Sequence, residues 1–505
     1  MRVVRLLVGV LVVAVLLPVA AVAGWLWYDA SRGNVGELSF RQPLAIPPML
    51  DPATTQGGRR VFDLRADTGV TELLAGRRTP TWGVNGSYLG PTLRIRRGDR
   101  VRVNVHNGLP EPTTMHWHGM ELPAASDGGP HQSIAPGTTW SPSWTVDQPA
   151  ATLWYHPHPH GQTARHVYRG VAGLIYVNDA TSARSGLPRR YGVDDIPLVV
   201  QDKNFTADGR LDETGISFGG RHVTGLLGEE ILVNGTHDPY LTVRSRYTRF
   251  RVLNASTARV YDIGFTDDRP FEVVGTDTGL LPAPVATRRV MLSPGERIEI
   301  VARFRPSERV VLRSFPPELG GNPFYEKLAG GDDTFDLLQL RTAAELTGNP
   351  APPRPLRSAP PITPSPDAPR RAFDLGDFTI NGRTMDMDRI DFAATSGTAE
   401  VWRVRNTQGI PHNFHVHNAA FRVIDVDGRP PPAWQRGRKD TVYVPPGATV
   451  RFAVRFGPYP DRRAPYMFHC HLLAHEDSGM MGQFVLVKPG SRGRVGDPPG
   501  HYDHG

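Results

Sequence analysis

The stretch His469-Cys470-His471-Leu472-Leu473-Ala474-His475-Glu476-Asp477-Ser478-Gly479-Met480 is dense in side chains that can bind metals or carry protons. If the segment that enters it, residues 464 to 471, is extended, successive side chains point to opposite faces. His469 and His471 then face one way and Cys470 faces the other way. The sequence therefore predicts two separate sites that are joined through one short piece of backbone.

Cys470 is the only cysteine in 505 residues, and an isolated cysteine is often just a small core hydrophobe. Here it lies between two histidines, with His475 and Met480 following it closely. A thiolate, an imidazole and a weak thioether, completed by one more histidine, form the ligand set that suits electron-transfer copper. We interpret the cluster as a metal site.

An uncharged apolar run covers residues 6 to 28; it follows two arginines and ends in three aromatic residues. About 20 apolar residues span a bilayer, with the arginines inside and the aromatic side chains at the outer interface. Ala21-Val22-Ala23 also looks like a signal-peptidase site, so a cleaved signal is the alternative. We expect residues 1–34 to be a retained membrane anchor, with the rest of the chain outside the cytoplasm. In that oxidising compartment Cys470 has no internal partner and stays free to act as a ligand.

Beyond this segment the chain reads as β-structure, with short alternating runs, frequent turns, 53 Gly and 48 Pro. Leu93-Arg94-Ile95-Arg96 and Val101-Arg102-Val103-Asn104-Val105 alternate around Arg97-Gly98-Asp99, which predicts a half-buried hairpin. Strands at this spacing are typical of all-β sandwiches. The net charge of +7 is modest and the arginines are scattered, so a nucleic-acid surface is not indicated.

A weak internal repeat predicts the number of domains. Asn-Gly pairs at residues 85, 234 and 381 are each followed by a strand that ends in asparagine and later by a Pro-Gly turn. Pro-rich sequence between the second and third copies is typical of an extended connector. The predicted domains cover residues 35–180, 190–345 and 370–490, with a Pro-rich linker at 346–369 and a flexible tail at 491–505.

Equivalent strands of the first and third domains carry paired histidines. Nine residues past the strand-ending asparagine, the first domain has His116-Trp117-His118 and the third has His415-Val416-His417. Past the Pro-Gly turns, His156-Pro157-His158 matches His469-Cys470-His471, whereas the second domain has no counterpart to either pair. Eight neutral imidazoles on facing surfaces are more than a zinc site takes, and they suit about three copper ions between the first and third domains.

Together with His412, these segments resemble the ligand motifs of three-domain multicopper oxidases over roughly residues 40 to 490, closest to bacterial laccase-like, copper efflux oxidase and bilirubin oxidase branches. The resemblance implies three cupredoxin-like Greek-key β-sandwich domains and four copper ions. A type 1 copper is implied on His412, Cys470 and His475 with Met480 axial. The other three ions are implied as a type 2 copper on His116 and His415, and a type 3 pair on His118, His156, His158, His417, His469 and His471.

The resemblance also implies a reaction. A reducing substrate gives electrons to the type 1 copper through the exposed edge of His475 or His412, and dioxygen is reduced to water at the other three ions. Asp127 and Glu476 occupy places where similar enzymes keep acids that supply protons. The alternative roles are a turn cap for Asp127 and a ligand-orienting or solvated carboxylate for Glu476.

The substrate class is predicted from two features of cuprous-ion oxidation that the sequence lacks. It has no Met-rich insertion of the copper efflux oxidase kind, and Gln408-Gly409-Ile410-Pro411 lacks the Asp and Met expected of a cuprous-ion site. Met385-Asp386-Met387 could touch copper, but we favour a turn or core role. We expect a monomeric oxidase that couples a small phenol or aromatic amine to dioxygen, with no nucleic-acid partner. Oxidation of Cu(I) or Mn(II) is the alternative, and a copper-free envelope scaffold is the third hypothesis.

Overall fold

The computed structural model describes Gly24 and residues 30–55, 57–216, 224–356, 358–493 and 495–496. Most of the predicted membrane anchor and most of the predicted flexible tail lie outside the described residues. Within the described part of the chain, no helix is both long enough and apolar enough to cross a membrane.

The described residues form six β-sheets, and these pair into three successive sandwiches, which confirms the all-β prediction. The first sandwich contains Ala53–Thr54, Arg59–Leu74, Arg77–Val84, Arg100–Gly108, Thr139–Trp140 and Ser143–Thr145 in one sheet, and Met49–Leu50, Thr92–Arg96, His116–His118, Ala151–His156 and Gly173–Asn178 in the other. The second contains Gln42–Pro43, Pro239–Ser245, Tyr261–Phe265, Val290–Leu292, Arg309–Phe315 and Phe335–Thr347, and Asp195–Lys203, Glu230–Val233, Thr236–His237, Tyr247–Asn254, Phe271–Thr276, Gly279–Thr287 and Arg297–Arg303.

The third sandwich pairs a sheet of Arg370–Gly376, Thr379–Ile380, Ala399–Asn406, Ala419–Val426 and Thr449–Phe456 with one of Phe392–Thr395, His412–Val416, Thr441–Val444, Asp461–His469 and Met481–Val487. Short α-helices lie at Thr163–Arg169, Pro323–Leu328 and Leu473–Asp477, and 3-10 turns at Ala124–Ser126, Ser182–Arg184 and Ala433–Arg436. Each sandwich closes over its own apolar core, in which Trp117, Phe250 and Trp402 are fully buried. Burying such side chains stabilises the fold by about 1.5–3 kcal/mol each.

The asparagines of the sequence repeat have the same role in all three sandwiches. Asn85, Asn234 and Asn381 have positive φ angles of 53°, 52° and 54°, a conformation that asparagine tolerates well. The side-chain oxygen of each accepts a 2.7 Å hydrogen bond from a backbone N–H of an earlier strand. The strand-ending asparagines also share one pattern, because each accepts from the N–H two residues further on: Asn107, Asn254 and Asn406.

The predicted hairpin at residues 93–105 is wrong. Thr92–Arg96 pairs with Gly173–Asn178 in one sheet, whereas Arg100–Gly108 pairs with Arg59–Leu74 in the facing sheet. Both strands do bury alternate side chains. Because each of two facing sheets has one buried face, alternation cannot distinguish pairing within a sheet from a crossing between sheets.

The first and third sandwiches meet at the strands that carry the histidines. His116–His118 pairs with Ala151–His156, and His412–Val416 pairs with Asp461–His469. The Tyr466 hydroxyl donates to the carbonyl of Leu122 at 2.8 Å across the interface. Two pairs of histidine-bearing strands, one pair from each sandwich, therefore face each other.

Chain segments near the predicted boundaries connect the sandwiches. Gln42–Pro43, predicted in the first domain, pairs with the strand Pro239–Ser245 of the second sandwich. In the Pro-rich linker, Ile362 packs against Ala420 and Ala453 of the third sandwich. The remaining domain boundaries stay predictions.

Candidate metal centres

A thiol and two imidazoles meet in the core of the third sandwich. The Cys470 Sγ lies 3.6 Å from the Nδ1 atoms of His412 and His475, which are 3.0 Å from each other. All three side chains are fully buried. Met480 is tied to them, because its N–H donates to the His475 carbonyl and its carbonyl accepts from the Cys470 N–H. These donors could hold one metal ion.

Local structure explains how one short segment supplies three of these groups. Cys470 follows the end of the strand Asp461–His469, and the helix Leu473–Asp477 turns His475 back toward it. Burial raises the pKa of the Cys470 thiol to about 12 and, with the neighbouring His475, lowers the pKa of His412 well below its usual value. A thiolate in this apolar site needs a compensating cation, and a bound metal would supply it.

The prediction that an edge of His412 or His475 is exposed is wrong. Both side chains are 0% exposed. Gln408 covers the first, since its Oε1 accepts from the His412 Nε2 at 2.8 Å, and the Phe378 ring lies 5.0 Å from the His475 ring. Electrons from a surface donor would therefore have to pass the side chain of Gln408 or Phe378.

Eight histidines from the first and third sandwiches form a second, larger site. The Nε2 of His469 lies 3.2 Å from the Nε2 of His158 and of His417. The two sandwiches also stack their rings on each other, His116 on His417 at 3.8 Å and His118 on His415 at 3.7 Å. The eight histidines are all buried: His116, His118, His156, His158, His415, His417, His469 and His471.

Hydrogen bonds fix which nitrogen of His116 and of His415 faces the centre. The Nδ1 atoms of His116 and His415 donate to the main-chain carbonyls of Asp127 and Asp440, at 3.0 and 2.8 Å. Their Nε2 atoms are buried without a hydrogen-bond partner, as are both ring nitrogens of His471. Unsatisfied buried nitrogens converging on one point are what a metal cluster requires.

His118 is turned the other way round. Its Nε2 contacts the Asp440 carboxylate at 3.1 Å, so its Nδ1 faces the Nε2 of His156 at 3.4 Å. Burial and the neighbouring imidazoles lower the pKa of His118 and of His156 well below the usual value. Neutral imidazole is the form that binds metals. The donor set therefore fits a cluster of borderline metal ions such as copper.

The two predicted acids lie directly behind the eight histidines. The Asp127 Oδ2 accepts from the Nδ1 of His417 at 2.7 Å, while its Oδ1 is buried without a hydrogen-bond partner. Burial raises the pKa of Asp127 well above its usual value. Glu476 lies between His158 and His469, with oxygens 3.3 and 3.2 Å from their Nδ1 atoms. Burial opposes ionisation of Glu476, but its contacts with the imidazoles of His158 and His469 hold its pKa well below its usual value.

A third carboxylate, Asp440, was missed in the sequence. Its carboxylate contacts His118, and its main-chain carbonyl contacts His415. The guanidinium of Arg297, in the second sandwich, donates two hydrogen bonds of 2.7 and 2.6 Å to the same carboxylate. Asp277 and Lys439 extend this buried charged network. No motif marks Asp440, because only the pairing of Thr441–Val444 with His412–Val416 brings it to the cluster.

The two sites are connected through the backbone. His469 pairs with His415 on the side of the eight histidines, and the adjacent Cys470 points to the other site. The Asn413 Oδ1 accepts from the His471 N–H at 2.6 Å and lies 3.6 Å from the Cys470 Sγ. The fold and the two sites define a class of protein: three sandwiches in which a buried thiol site is joined by its own strand to a histidine cluster between sandwiches.

Comparison with known proteins identifies the family. Family models described as multicopper oxidase match residues 66–182 and 357–490. The multicopper oxidase mco of Staphylococcus aureus is 34% identical over 460 residues, 90% of this chain and 95% of its own length. A solved structure of a laccase-like multicopper oxidase CueO from Ochrobactrum sp. is 36% identical and has a TM-score of 0.79; the match covers 88% of this chain and 100% of that chain. The chain belongs to the multicopper oxidase family.

A differently named relative has the same scaffold. The cell division protein FtsP of Yersinia pestis is 36% identical over 461 residues, 89% of this chain and 93% of its own length. Membership of the family confirms the cupredoxin-like fold and makes the chain a copper-binding oxidoreductase by class.

Asp440→Asn is expected to weaken copper retention by about 10- to 100-fold, since carboxylates that orient metal-ligating histidines typically have effects of that size. Copper per chain after dialysis against a chelator measures the change. The unfolding temperature of the copper-free variant shows how much stability is lost with the pairing to Arg297. Asp267→Asn, at a half-exposed carboxylate of the second sandwich, is the control. Retention equal to that of the unmodified protein would show that Asp440 does not orient the ligands.

Proposed function

We propose that this protein is a laccase-like oxidase with four copper ions. The single observation that supports it best is the opposite orientation of Cys470 and its two flanking histidines, which links the buried thiol site to the eight-histidine cluster. We assign the type 1 copper to His412, Cys470, His475 and axial Met480, the type 2 copper to His116 and His415, and the type 3 pair to His118, His156, His158, His417, His469 and His471.

Bound copper would supply one-electron oxidation of the reductant at the thiol site and four-electron reduction of dioxygen to water at the cluster. Side chains and backbone of the protein supply the path between the sites, the exclusion of water and the acid groups. Cys470 and its neighbours give a covalent path between the sites, and burial excludes bulk water from both. Asp127, whose pKa is raised by burial, can hold a proton on Oδ1 next to His116. The lowered pKa of Glu476 favours instead a carboxylate that orients His158 and His469. We therefore retain Asp127 as the proton donor and favour the orienting role for Glu476.

The surface above the thiol site favours an aromatic reductant. Phe324 and Tyr325 are the exposed large aromatic residues in the described part of the chain, at 37% and 42%. A Cβ at Gly409 would lie 3.4 Å from the Tyr325 ring, and Gly409 is next to Gln408, which covers His412. The Gln408 amide also donates to the exposed Asp377 carboxylate at 3.1 Å. An aromatic ring could stack on this pair while its hydroxyl meets a hydrogen-bond chain to His412.

The name of the Ochrobactrum relative reports oxidase activity towards lignin model compounds and lignosulfonate, which agrees with a phenolic substrate. Oxidation of Cu(I) or Mn(II) remains the second candidate, and a copper-free scaffold is the third because FtsP shares the fold. We further propose a monomer anchored outside the cytoplasm. The size of the exported protein tests the anchor, since loss of about 23 residues would mean a cleaved signal.

A substrate panel on copper-loaded protein tests the function. We expect about four copper ions per chain, an absorption band near about 600 nm from the copper–thiolate bond, and oxygen uptake with phenols. A preference of about a hundredfold or more for cuprous ion over phenols, equal to about 2.7 kcal/mol in transition-state stabilisation, would reverse the substrate ranking. A chain that binds no copper would support the scaffold.

The double variant Phe324→Ala with Tyr325→Ala is expected to raise KM for phenols about 10-fold, because aromatic contacts contribute about 0.5–1.5 kcal/mol each. Steady-state kinetics with a phenol and with ferrocyanide, which has no ring to stack, separate substrate contact from damage to the copper site. Val70→Ala, at an exposed apolar residue of the first sandwich, is the control. Equal losses with both reductants would refute a stacking role for this pair.

A further inference from the structure

A cavity of about 590 Å³ lies between the first and second sandwiches, and none of the residues that line it is a proposed copper ligand. Sites for small molecules usually occupy about 300–1,000 Å³. Two acids, Asp179 and Asp195, line this cavity. The arginines that line it are Arg94, Arg96, Arg97, Arg189, Arg249 and Arg251. We call it the arginine cavity.

Strand geometry places four of the arginines on two facing sheets. Arg94 and Arg96 are two residues apart on the strand Thr92–Arg96, so their side chains leave the same face of a first-sandwich sheet. Arg249 and Arg251 share one face of the second-sandwich strand Tyr247–Asn254 for the same reason. Because all four side chains line the cavity, these two sheet faces meet across it.

The fold uses the two inner arginines to different extents. The Arg251 guanidinium donates to both oxygens of Asp195 at 2.7 and 2.9 Å, and to the Thr152 Oγ1 of the first sandwich at 3.0 Å. Arg251 therefore joins the two sandwiches. Among the described residues, the Arg249 side chain donates only through Nη2, to Glu299, and its Nε is buried without a partner. Arg249 is 5% exposed, so bulk water satisfies little of its remaining donor capacity.

The inner wall also carries a buried hydroxyl and apolar surface. Tyr176 lines the cavity, and its Oη is buried without a hydrogen-bond partner in the part of the chain that the structure describes. Burial raises the pKa of Tyr176 well above its usual value, so the hydroxyl stays protonated and can donate. The Tyr191 ring lies 5.7 Å from the Tyr176 ring, and the buried Leu187 and Leu280 add aliphatic surface.

The guanidinium groups at the rim are poorly neutralised. Arg96 contacts the Asp99 carboxylate through its backbone N–H, and its guanidinium pairs with no acid among the described residues. The exposed Arg189 guanidinium donates to the carbonyl of Ala183. Asp179 compensates little, because its carboxylate already accepts from two backbone N–H groups. Positive charges gathered around one cavity attract an anion.

Guanidinium groups bind phosphate and carboxylate groups through paired N–H donors. Apolar walls favour a ligand with an aliphatic or aromatic body. We propose that the arginine cavity binds one small organic oxyanion, a phosphate monoester or a carboxylate with an apolar body, whose acidic group accepts hydrogen bonds from Arg249 and Tyr176. This site is independent of the copper centres and of the proposed oxidase activity.

Isothermal titration of the copper-loaded, full-length protein with phenyl phosphate and with benzoate tests the proposal. Neither probe carries a free phenol hydroxyl, so binding is measured without oxidation. We expect one equivalent per chain, with an affinity that falls as the salt concentration rises. Benzyl alcohol has no charge and inorganic phosphate has no apolar body, so both should bind at least about 10-fold more weakly than the preferred anion. The lower Kd of the two anions identifies the acidic group.

Three variants locate the binding site. Arg249→Lys keeps the charge beside Glu299 but removes the planar donor fork, and Tyr176→Phe removes only the unpartnered hydroxyl. Each is expected to lower the affinity about 10-fold, the size of a lost hydrogen bond to a charged group. Arg96→Gln, at the exposed rim, should weaken binding and reduce its salt dependence. Arg244→Gln, at an exposed arginine of the second sandwich that does not line the cavity, is the matched control.

Absence of binding by both anions to the unmodified protein would overturn the site. Equal binding of benzyl alcohol or of inorganic phosphate would refute recognition of an organic anion. Unchanged affinity in all three cavity variants would place the binding elsewhere. The unfolding temperature of the unmodified protein gives a second measurement that needs no variant, because it should rise with the anion and not with benzyl alcohol.

Discussion

Cys470→Ser is expected to lower the rate of phenol oxidation on the order of 1,000-fold or more, the largest effect of any single substitution in this chain. Serine has nearly the same size, but its oxygen is a hard ligand that does not form the soft trigonal site with two imidazoles. Electrons would then lose both their entry point and the sulfur that begins the path to His469 and His471. The eight-histidine cluster, whose ligands are unchanged, should keep its metal.

Copper analysis and absorption spectra measure this outcome together. Copper per chain is expected to fall from about four to about three, and the band near about 600 nm should vanish. Met480→Leu is the matched comparison, because it keeps the thiolate and both histidines and should keep the band. A Cys470→Ser protein that retained the band or the rate would refute the assignment of the thiol site.

Asp127→Asn is expected to slow oxygen reduction by about 100-fold, within the range typical of a lost general acid. The amide can still accept from His417, so ligand orientation is largely preserved while the proton is lost. Because burial raises the pKa of Asp127, the unmodified carboxyl keeps its proton at higher pH than an exposed one. Activity of the unmodified protein should therefore fall as pH rises through that pKa, and the variant should lose this limb of the profile.

Oxygen uptake with ferrocyanide, whose oxidation releases no proton, isolates the oxygen step. Glu476→Gln is the informative comparison, because an orienting carboxylate should affect copper retention more than the shape of the pH profile. Asp425→Asn, at a carboxylate paired with Arg451 far from the cluster, is the control. If Asp127→Asn reduced oxygen at the normal rate at every pH, Asp127 would not be the donor.

Short-range patterns predicted much of this molecule. The Asn-Gly repeat predicted three similar sandwiches because asparagine tolerates a turn with a positive φ angle. The same turn recurs at Asn85, Asn234 and Asn381. The alternation around Cys470 predicted two sites on opposite sides of one segment, and the structure places His412 and His475 on one side and the histidine cluster on the other. Both inferences depend only on local backbone geometry.

The predictions that the structure contradicts, and the site residue that the sequence did not reveal, share one cause. Alternation around Arg97-Gly98-Asp99 suggested a hairpin, but a sandwich gives two sheets the same pattern, and the turn crosses between them. Gln408 covers His412 and Phe378 covers His475, and both contacts depend on the tertiary positions of two loops. Asp440 lies 322 positions from the His118 that it contacts, and no local pattern marks it.

Local sequence thus sufficed for the residue types that could bind copper, for their division into two groups and for the threefold β-architecture, because side-chain chemistry and strand periodicity act over a few residues. Tertiary packing alone decided how the two groups are enclosed. The docking of the second sandwich placed Arg297 on Asp440, and the meeting of the first and third sandwiches brought His158 within 3.2 Å of His469. Such contacts join residues 143 and 311 positions apart, so they arise from shape and burial across whole sandwiches.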